Sequence, residues 1–227
     1  MFQRALRPPE SSFFLFGPRG TGKTTWIKQH FRTASAYYDL LQTSESLRLN
    51  RDPSAFGKEC ADLPAESWIV VDEVQRAPLL LDEVQRLIEE KHLCFVLSGS
   101  SARKLRRGGA NLLAGRAEVR HLFPFVSSEL DFRRDLDEAL QHGMLPMAVN
   151  SPRPRAFLKS YVETYIREEI QAEALVRQIG GFARFLEVAA RMNGQVVNVS
   201  AVARDAGVAR QTVQEYFQIL VDTLIGS

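Results

Sequence analysis

The chain has 227 residues, 45% apolar and 25% charged, with a net charge of +2. That balance suits a globular protein with room for one sizeable domain and a smaller one, and charge so near neutrality neither predicts nor excludes nucleic acid. The two cysteines, Cys60 and Cys94, are far apart, the four histidines (His30, His92, His121, His142) form no ligand cluster, and neither a membrane-length apolar run nor a secretory h-region is present. This pattern fits a cytoplasmic, reducing setting, with Cys94 expected to be buried in its apolar run.

Residues 1–11 read as an irregular lead-in with a Pro8-Pro9 pair. Ser12-Phe13-Phe14-Leu15-Phe16 reads as a buried strand, and residues 24–31 can run as a helix. Between them, Gly17-Pro18-Arg19-Gly20-Thr21-Gly22-Lys23-Thr24 fits the P-loop pattern G-x-x-x-x-G-K-[ST]. Glycines let a backbone turn tightly and bring N–H groups against phosphate oxygens. In this reading Lys23 reaches the β- and γ-phosphates, Thr24 offers its hydroxyl to Mg²⁺, and Thr25 follows at the positive end of the helix. The bland alternative is a glycine turn between a strand and a helix. The flanking strand and helix supply the context that the P-loop requires.

Residues 36–40 read as a second strand, and Ser44 as the N-cap of a helix to about Asn50. Residues 51–66, with Pro53, Gly57 and Pro64, read as loop with at most one helical turn. Trp68-Ile69-Val70-Val71 then forms an apolar run ending in Asp72-Glu73, the form of a Walker B strand. Asp72 would hold Mg²⁺ through its water shell. Glu73, facing another way, would polarise an attacking water as general base. A buried strand with an acidic turn is the competing reading. The acid pair favours nucleotide hydrolysis over phosphoryl transfer to a metabolite. It also suggests the class in which an additional strand lies between the strands bearing the two motifs.

Pro78 is expected to start a helix to about Glu90, and residues 93–97 form a further buried strand ending in Ser98-Gly99-Ser100-Ser101. The basic stretch 101–116 is either a solvated loop or one that delivers an arginine to the γ-phosphate, in cis or from a neighbour. Arg116 is the first candidate and Arg103 the second. Residues 119–123 read as a fifth strand, closed by Pro124.

Gly-Pro-Arg-Gly-Thr-Gly-Lys-Thr, Val-Val-Asp-Glu-Val-Gln-Arg, Leu-Ser-Gly-Ser-Ser-Ala-Arg-Lys-Leu and Leu-Ala-Gly-Arg together resemble the prokaryotic AAA-type ATPases of the AAA_14 family, in which that domain is followed by a DUF4143 region. Phe123-Pro124-Phe125 and Ser128-Glu129-Leu130 fit the family's link from the last strand to the next helix. The resemblance covers most of the chain and implies an ATP-binding core of AAA+ type. It also implies a sensor at the end of the fourth strand, where Ser98 or Ser100 could contact the γ-phosphate or the water. ATP over GTP rests on the resemblance and on the lack of an Asn-Lys-x-Asp guanine motif.

From Ser127 the periodicity becomes helical. A helix capped by Ser127 or Ser128 is expected to about Gln141, broken at Gly143-Met144-Leu145-Pro146 and again at Ser151-Pro152-Arg153-Pro154. A long helix then runs from Phe157 to about Gln178, with Phe157, Tyr161 and Tyr165 read as core, and Gly180-Gly181 ends it. Another runs from Phe182 to Met192. A short helix capped by Ser200, a glycine turn and a second helix give a helix-turn-helix reading, with Ala203, Ala206, Val208, Val213 and Leu220 as its core. Gln211, Thr212, Gln214 and Gln218 could read base edges, but Arg210 is the second helix's one basic residue and Glu215 and Asp222 oppose phosphate. Packing or protein contact is the favoured role, and DNA is allowed but not favoured.

The expected architecture is an α/β P-loop NTPase three-layer sandwich with a five-stranded parallel sheet (AAA+, additional-strand class) over residues 1–126. A helical cap (127–195) and a helix-turn-helix-like segment (196–227) follow, the latter expected to be truncated. The expected function is Mg²⁺-dependent ATP hydrolysis that drives a change in the C-terminal helical module. The alternative is a nucleotide-gated binding protein with little turnover, acting on a protein partner or DNA. A homo-oligomer is compatible with an arginine supplied in trans.

Overall fold

The computed structural model describes residues 2–100, 105, 113–165 and 179–225. The chain divides into two compact units, Met1–Pro146 and Met147–Ser227. Residues 127–146, expected in the helical cap, fall within the first.

The first unit is built on five short strands: β1 (Phe13–Phe16), β2 (Ala36–Asp39), β3 (Trp68–Asp72), β4 (Cys94–Gly99) and β5 (Glu118–His121). They pair in parallel in the order β2-β3-β4-β1-β5. All four residues of β1 are buried, as expected for a central parallel strand covered on both faces. The edge strand β5 is exposed throughout and carries Glu118 and Arg120, charges that discourage further pairing. β4 lies between β1 and β3, so the additional strand sits where the acid pair placed it.

The register assigns the faces. Phe13, Leu15, Val70 and Val96 point to one side, where they pack with Trp26 and Ile27 of helix α1 (Lys23–His30). On the other side Phe56 of α3 (Pro53–Cys60) meets the rings of Tyr38 and Phe95. Helix α2 (Thr43–Arg51) precedes α3, and α4 (Leu80–Lys91) packs against it. Helix, sheet and helix make the three layers.

Several boundaries differ from the sequence reading, each for a local reason. Ser44 does not cap α2; Gln42 holds that position without a side-chain bond, and the preceding turn is made by Asp39, whose carboxylate accepts from the Leu41 N–H. Residues 53–60 are a full helix rather than loop. Asp52 caps α3 by accepting from the Ser54 N–H, and Pro53 occupies the first turn, where a missing N–H costs nothing. A 3₁₀ turn (Val74–Arg76) follows β3, so α4 begins at Leu80 rather than Pro78. Cys94 is half-buried and Cys60 fully buried, the reverse of the emphasis expected.

The helix expected from Ser127 is a single 3₁₀ turn (Ser127–Leu130), followed after a break by α5 (Leu136–His142). The Phe132 N–H reaches back to the Ser127 carbonyl while Asp131 and Phe132 take positive φ, a Schellman-type stop with Asp131 where glycine usually stands.

Helix α6 (Pro146–Val149) starts on the last residue of the first unit, and the second unit continues with α7 (Pro154–Tyr165), α8 (Ile179–Arg191), α9 (Val199–Ala206) and α10 (Arg210–Asp222). The continuation of α7 toward Gln178 lies outside the described residues. Gly180-Gly181 do not interrupt the described helix; they lie within α8. A side chain at Gly181 would press on Val208 at 3.0 Å, so glycine there allows close packing of the turn after α9. Asn198, not Ser200, caps α9, accepting from the Ser200 and Ala201 N–H groups, each at 3.1 Å. Gly207 (φ 65°) closes it, and the Arg184 guanidinium donates to the freed Ala206 carbonyl.

The core of this unit is larger than the helix pair alone supplies: Phe182 and Phe185 of α8 join Val202, Ala203, Ala206, Val213, Tyr216, Ile219 and Leu220. No helix among the described residues is long and apolar enough to cross a membrane.

The cap assignment is directly testable by thermal or denaturant unfolding. Asn198→Ala should destabilise the second unit by about 1 kcal/mol. Ser200→Ala should change it by less than about 0.5 kcal/mol.

Candidate nucleotide site

In a parallel sheet with helices on its faces, ligands gather at the carboxyl ends of the strands. That edge here carries the loop after β1, the end of β3 and the end of β4. The loop is shaped by its glycines. A Cβ on Gly17 would overlap the Leu122 carbonyl oxygen, and Gly20 and Gly22 hold φ of 81° and 90°. Thr21, fully buried, closes the turn by donating to the Pro18 carbonyl at 2.9 Å. Gly17 and Pro18 are buried, whereas Arg19 and Thr25 are exposed.

Helix α1 starts at Lys23 behind Gly22, with no side-chain cap and no acid in its first turn. Its leading N–H groups therefore carry the positive end of the helix dipole unopposed. Lys23 is only 7% exposed, and its ammonium donates to the Gly17 carbonyl at 2.8 Å and to Pro18 at 3.3 Å.

The acid pair meets this loop as the sequence expected. Asp72 is 1% exposed, and its Oδ2 accepts from the Thr24 hydroxyl at 2.8 Å. The contact follows from register: Asp39 pairs with Asp72 and Leu15 with Ser98, which sets Asp72 and Ser98 on the sheet face that α1 covers. The Tyr37 hydroxyl donates to the same oxygen at 2.8 Å, and the Ser98 hydroxyl donates to Oδ1. Ser98 in turn accepts from the Glu73 N–H at 3.1 Å. Glu73 itself sits at φ 62°, ψ 47°, a left-handed conformation that turns it away from Asp72. The Gln75 side-chain amide donates to its carboxylate.

Of the two serines considered as a sensor, Ser98 is tied to both acids. Ser100 is 8% exposed, and its hydroxyl has no hydrogen-bond partner among the described residues. Arg116 is not brought to the loop. It precedes β5 at the edge where Glu118 pairs with Phe13, and it forms an ion pair with Glu89 near the end of α4. A four-residue strand at about 3.3 Å per residue separates that edge from the loop. Arg103 lies outside the described residues.

Sequence reasoning missed four participants. Tyr37 and Gln75 needed the strand register and the turn after β3. The other two, Arg4 and Glu129, stand at opposite ends of the unit. The Arg4 guanidinium donates to Glu129 Oε1 at 3.1 Å, to the Thr21 carbonyl at 3.1 Å and to the Phe123 carbonyl, and it lies over the Phe125 ring. Glu129 also accepts from the Ala5 and Val126 N–H groups. Their side chains are 9% and 6% exposed. Burial pulls the Arg4 pKa down and the Glu129 charge opposes it. The lead-in is thereby fastened to the back of the phosphate loop.

The donor set at Thr24 and Asp72 is all oxygen, which suits a hard cation such as Mg²⁺. Among the described residues no group of three or more His, Cys, Asp or Glu side chains is placed to hold a metal ion. A cation at this site would therefore need phosphate oxygens and water to complete its shell.

A family model described as an AAA domain (AAA_14) matches residues 10–131. Over residues 133–227, where the resemblance implied a DUF4143 region, the matching model is a domain of unknown function, DUF8612. No curated protein matches the sequence. Among solved structures, the Aeropyrum pernix Orc1 protein in complex with DNA is similar over 96% of this chain and 79% of that one, at 13% identity and a TM-score of 0.38.

Arg4→Ala would leave the Glu129 carboxylate buried without its cation. Denaturant unfolding should show a loss on the order of 3 kcal/mol. Arg4→Lys should recover only part of it, because an ammonium cannot fork across three acceptors.

Proposed function

We propose, from the premise that this chain belongs to the AAA_14 family of AAA domains, that it binds ATP with Mg²⁺ and hydrolyses it. The observation that carries the reading is the 2.8 Å hydrogen bond between Thr24 and the buried Asp72, which joins the phosphate loop to the acid pair at one sheet edge.

In this proposal the loop N–H groups between Gly17 and Thr25, Pro18 having none, and the Lys23 ammonium bind the phosphates. Lys23 now lies on the Gly17 and Pro18 carbonyls, within a side-chain length of the loop's concavity. Thr24 and Asp72 would hold Mg²⁺, which when bound neutralises charge on the phosphate oxygens. Glu73 takes a proton from the attacking water. Its left-handed backbone and the hydrogen bond that its N–H donates to the Ser98 hydroxyl aim its carboxylate differently from that of Asp72. Ser100, buried with an unsatisfied hydroxyl among the described residues, is the better placed of the two serines to address a phosphate or the water, since Ser98 is already spent on the acids.

Arg116 could serve only a nucleotide other than the one held by its own loop, from its place at the opposite sheet edge. An arginine contribution from it therefore implies a homo-oligomer. The output of turnover, in this proposal, is a change in the C-terminal helical region, whose partner is a protein or, less well supported by its single basic residue in the first turn of α10, DNA.

Single-turnover phosphate release from Mg²⁺-ATP tests the reading. Glu73→Gln should retain nucleotide binding and lose about 10²–10⁴-fold in rate, the range of a general base. Lys23→Ala should lose binding itself. Tight binding without release by the wild-type chain would instead mark a nucleotide-gated binding protein.

A further inference from the structure

Asp72 is held by three hydroxyls, and two of them have evident reasons to be there. Thr24 belongs to the phosphate loop. Ser98 is fully buried and spans Asp72 and the Glu73 N–H. Tyr37 is different. It comes from β2, the edge strand opposite β5, and is 37% exposed, so core packing does not account for it.

Its reach follows from register. Tyr37 pairs with Val70 and Asp39 with Asp72, so Tyr37 lies two residues before the level of Asp72 on the same face. At about 3.3 Å per residue the ring spans that distance, and its hydroxyl arrives at Oδ2 at 2.8 Å. The Lys28 ammonium of α1 lies over the ring at 5.6 Å from its centre. Burial first, then the charges of Asp72 and Asp39, push the phenol pKa up, so the group stays a donor.

We propose that Tyr37 is a positioning residue for the divalent cation: its phenol fixes the Asp72 carboxylate from the β2 side so that Oδ2 is presented beside the Thr24 hydroxyl. This rests on the nucleotide and Mg²⁺ reading above and extends it to a residue outside both motifs. Two donors on Oδ2 and one on Oδ1 stop the carboxylate from rotating about its Cβ–Cγ bond. Groups that orient a metal-binding carboxylate in this way typically change cation affinity 10–100-fold when removed. A hydroxyl that merely satisfied a buried acid would contribute to stability and leave the cation untouched.

The test is Tyr37→Phe in the full chain, which keeps the ring and removes the donor. The dissociation constant of a fluorescent, non-hydrolysable ATP analogue is measured in EDTA and in excess Mg²⁺. Linkage makes the ratio of the two constants a measure of how well the protein–nucleotide complex holds the cation.

The EDTA constant should stay within about twofold of wild type, and the Mg²⁺ advantage should fall about tenfold or more. An unchanged Mg²⁺ advantage, with or without a lower melting temperature, overturns the proposal. A wild-type chain that binds the analogue but gains nothing from Mg²⁺ overturns it together with the cation reading. One that binds no analogue overturns the functional reading as a whole. A readout on the intact chain covers the case in which the variant folds poorly. With 3-fluorotyrosine at position 37, the ¹⁹F resonance should move when Mg²⁺ is added to the analogue-bound protein, and a stationary resonance overturns the proposal.

Discussion

A carboxylate taken out of water loses several kcal/mol of solvation unless donors replace the water. Asp72 is almost wholly buried, and its donors come from three different places: the start of α1, the edge strand β2 and the end of β4. Hydrogen bonds to a charged group contribute about 1.5–3 kcal/mol each, so this one side chain fixes how the phosphate loop, the sheet edge and the fourth strand meet. The parallel register is what makes that possible, since it puts Asp72, Ser98 and Tyr37 on the face that α1 covers. If the register of β3 slipped by one residue, Asp72 would face the α3 side and the loop would have no acid to meet.

What was legible in the sequence was what is short-range. The P-loop spacing, the apolar run into Asp72-Glu73 and the extra strand between the two motifs all emerge from neighbours in the chain. The five strands fall where the apolar runs placed them, within a residue or two at their ends. Tyr37 was assigned to a strand, but its role depends on which residue of β3 it faces, and no local pattern carries that. Arg4 and Glu129 are further still from legibility: 125 positions separate two side chains that share one ion pair. Arg116 was singled out by composition alone, and the sheet puts it at the edge away from the loop, where Glu89 holds it.

Other departures had a signal that was read the wrong way. Pro53 reads locally as a breaker, yet Asp52-Pro53-Ser54 is a cap, a first-turn proline and a helix start. Gly180-Gly181 reads locally as a terminus, whereas Gly181 lies in α8 where Val208 of the turn after α9 packs against it. Proline and glycine mark places where the backbone or its neighbours make an unusual demand. Only packing reveals whether that demand is to stop a helix, to begin one or to let another segment approach.

The strand order has a consequence for how the chain comes together. Among the described residues, β1 has hydrogen-bonded neighbours only in β4 and β5, with Phe13 opposite Val96 and Glu118. A growing polypeptide therefore makes the strand that leads into the phosphate loop first and gives it a partner only after residues 94–99 exist. β2 and β3, which come between, can pair with each other much sooner. The loop's last fastening, from Arg4 to Glu129, closes later than either. Within the first unit, β1 thus precedes both of its strand partners, and four consecutive apolar residues, Phe13 to Phe16, wait without a neighbouring strand in the meantime.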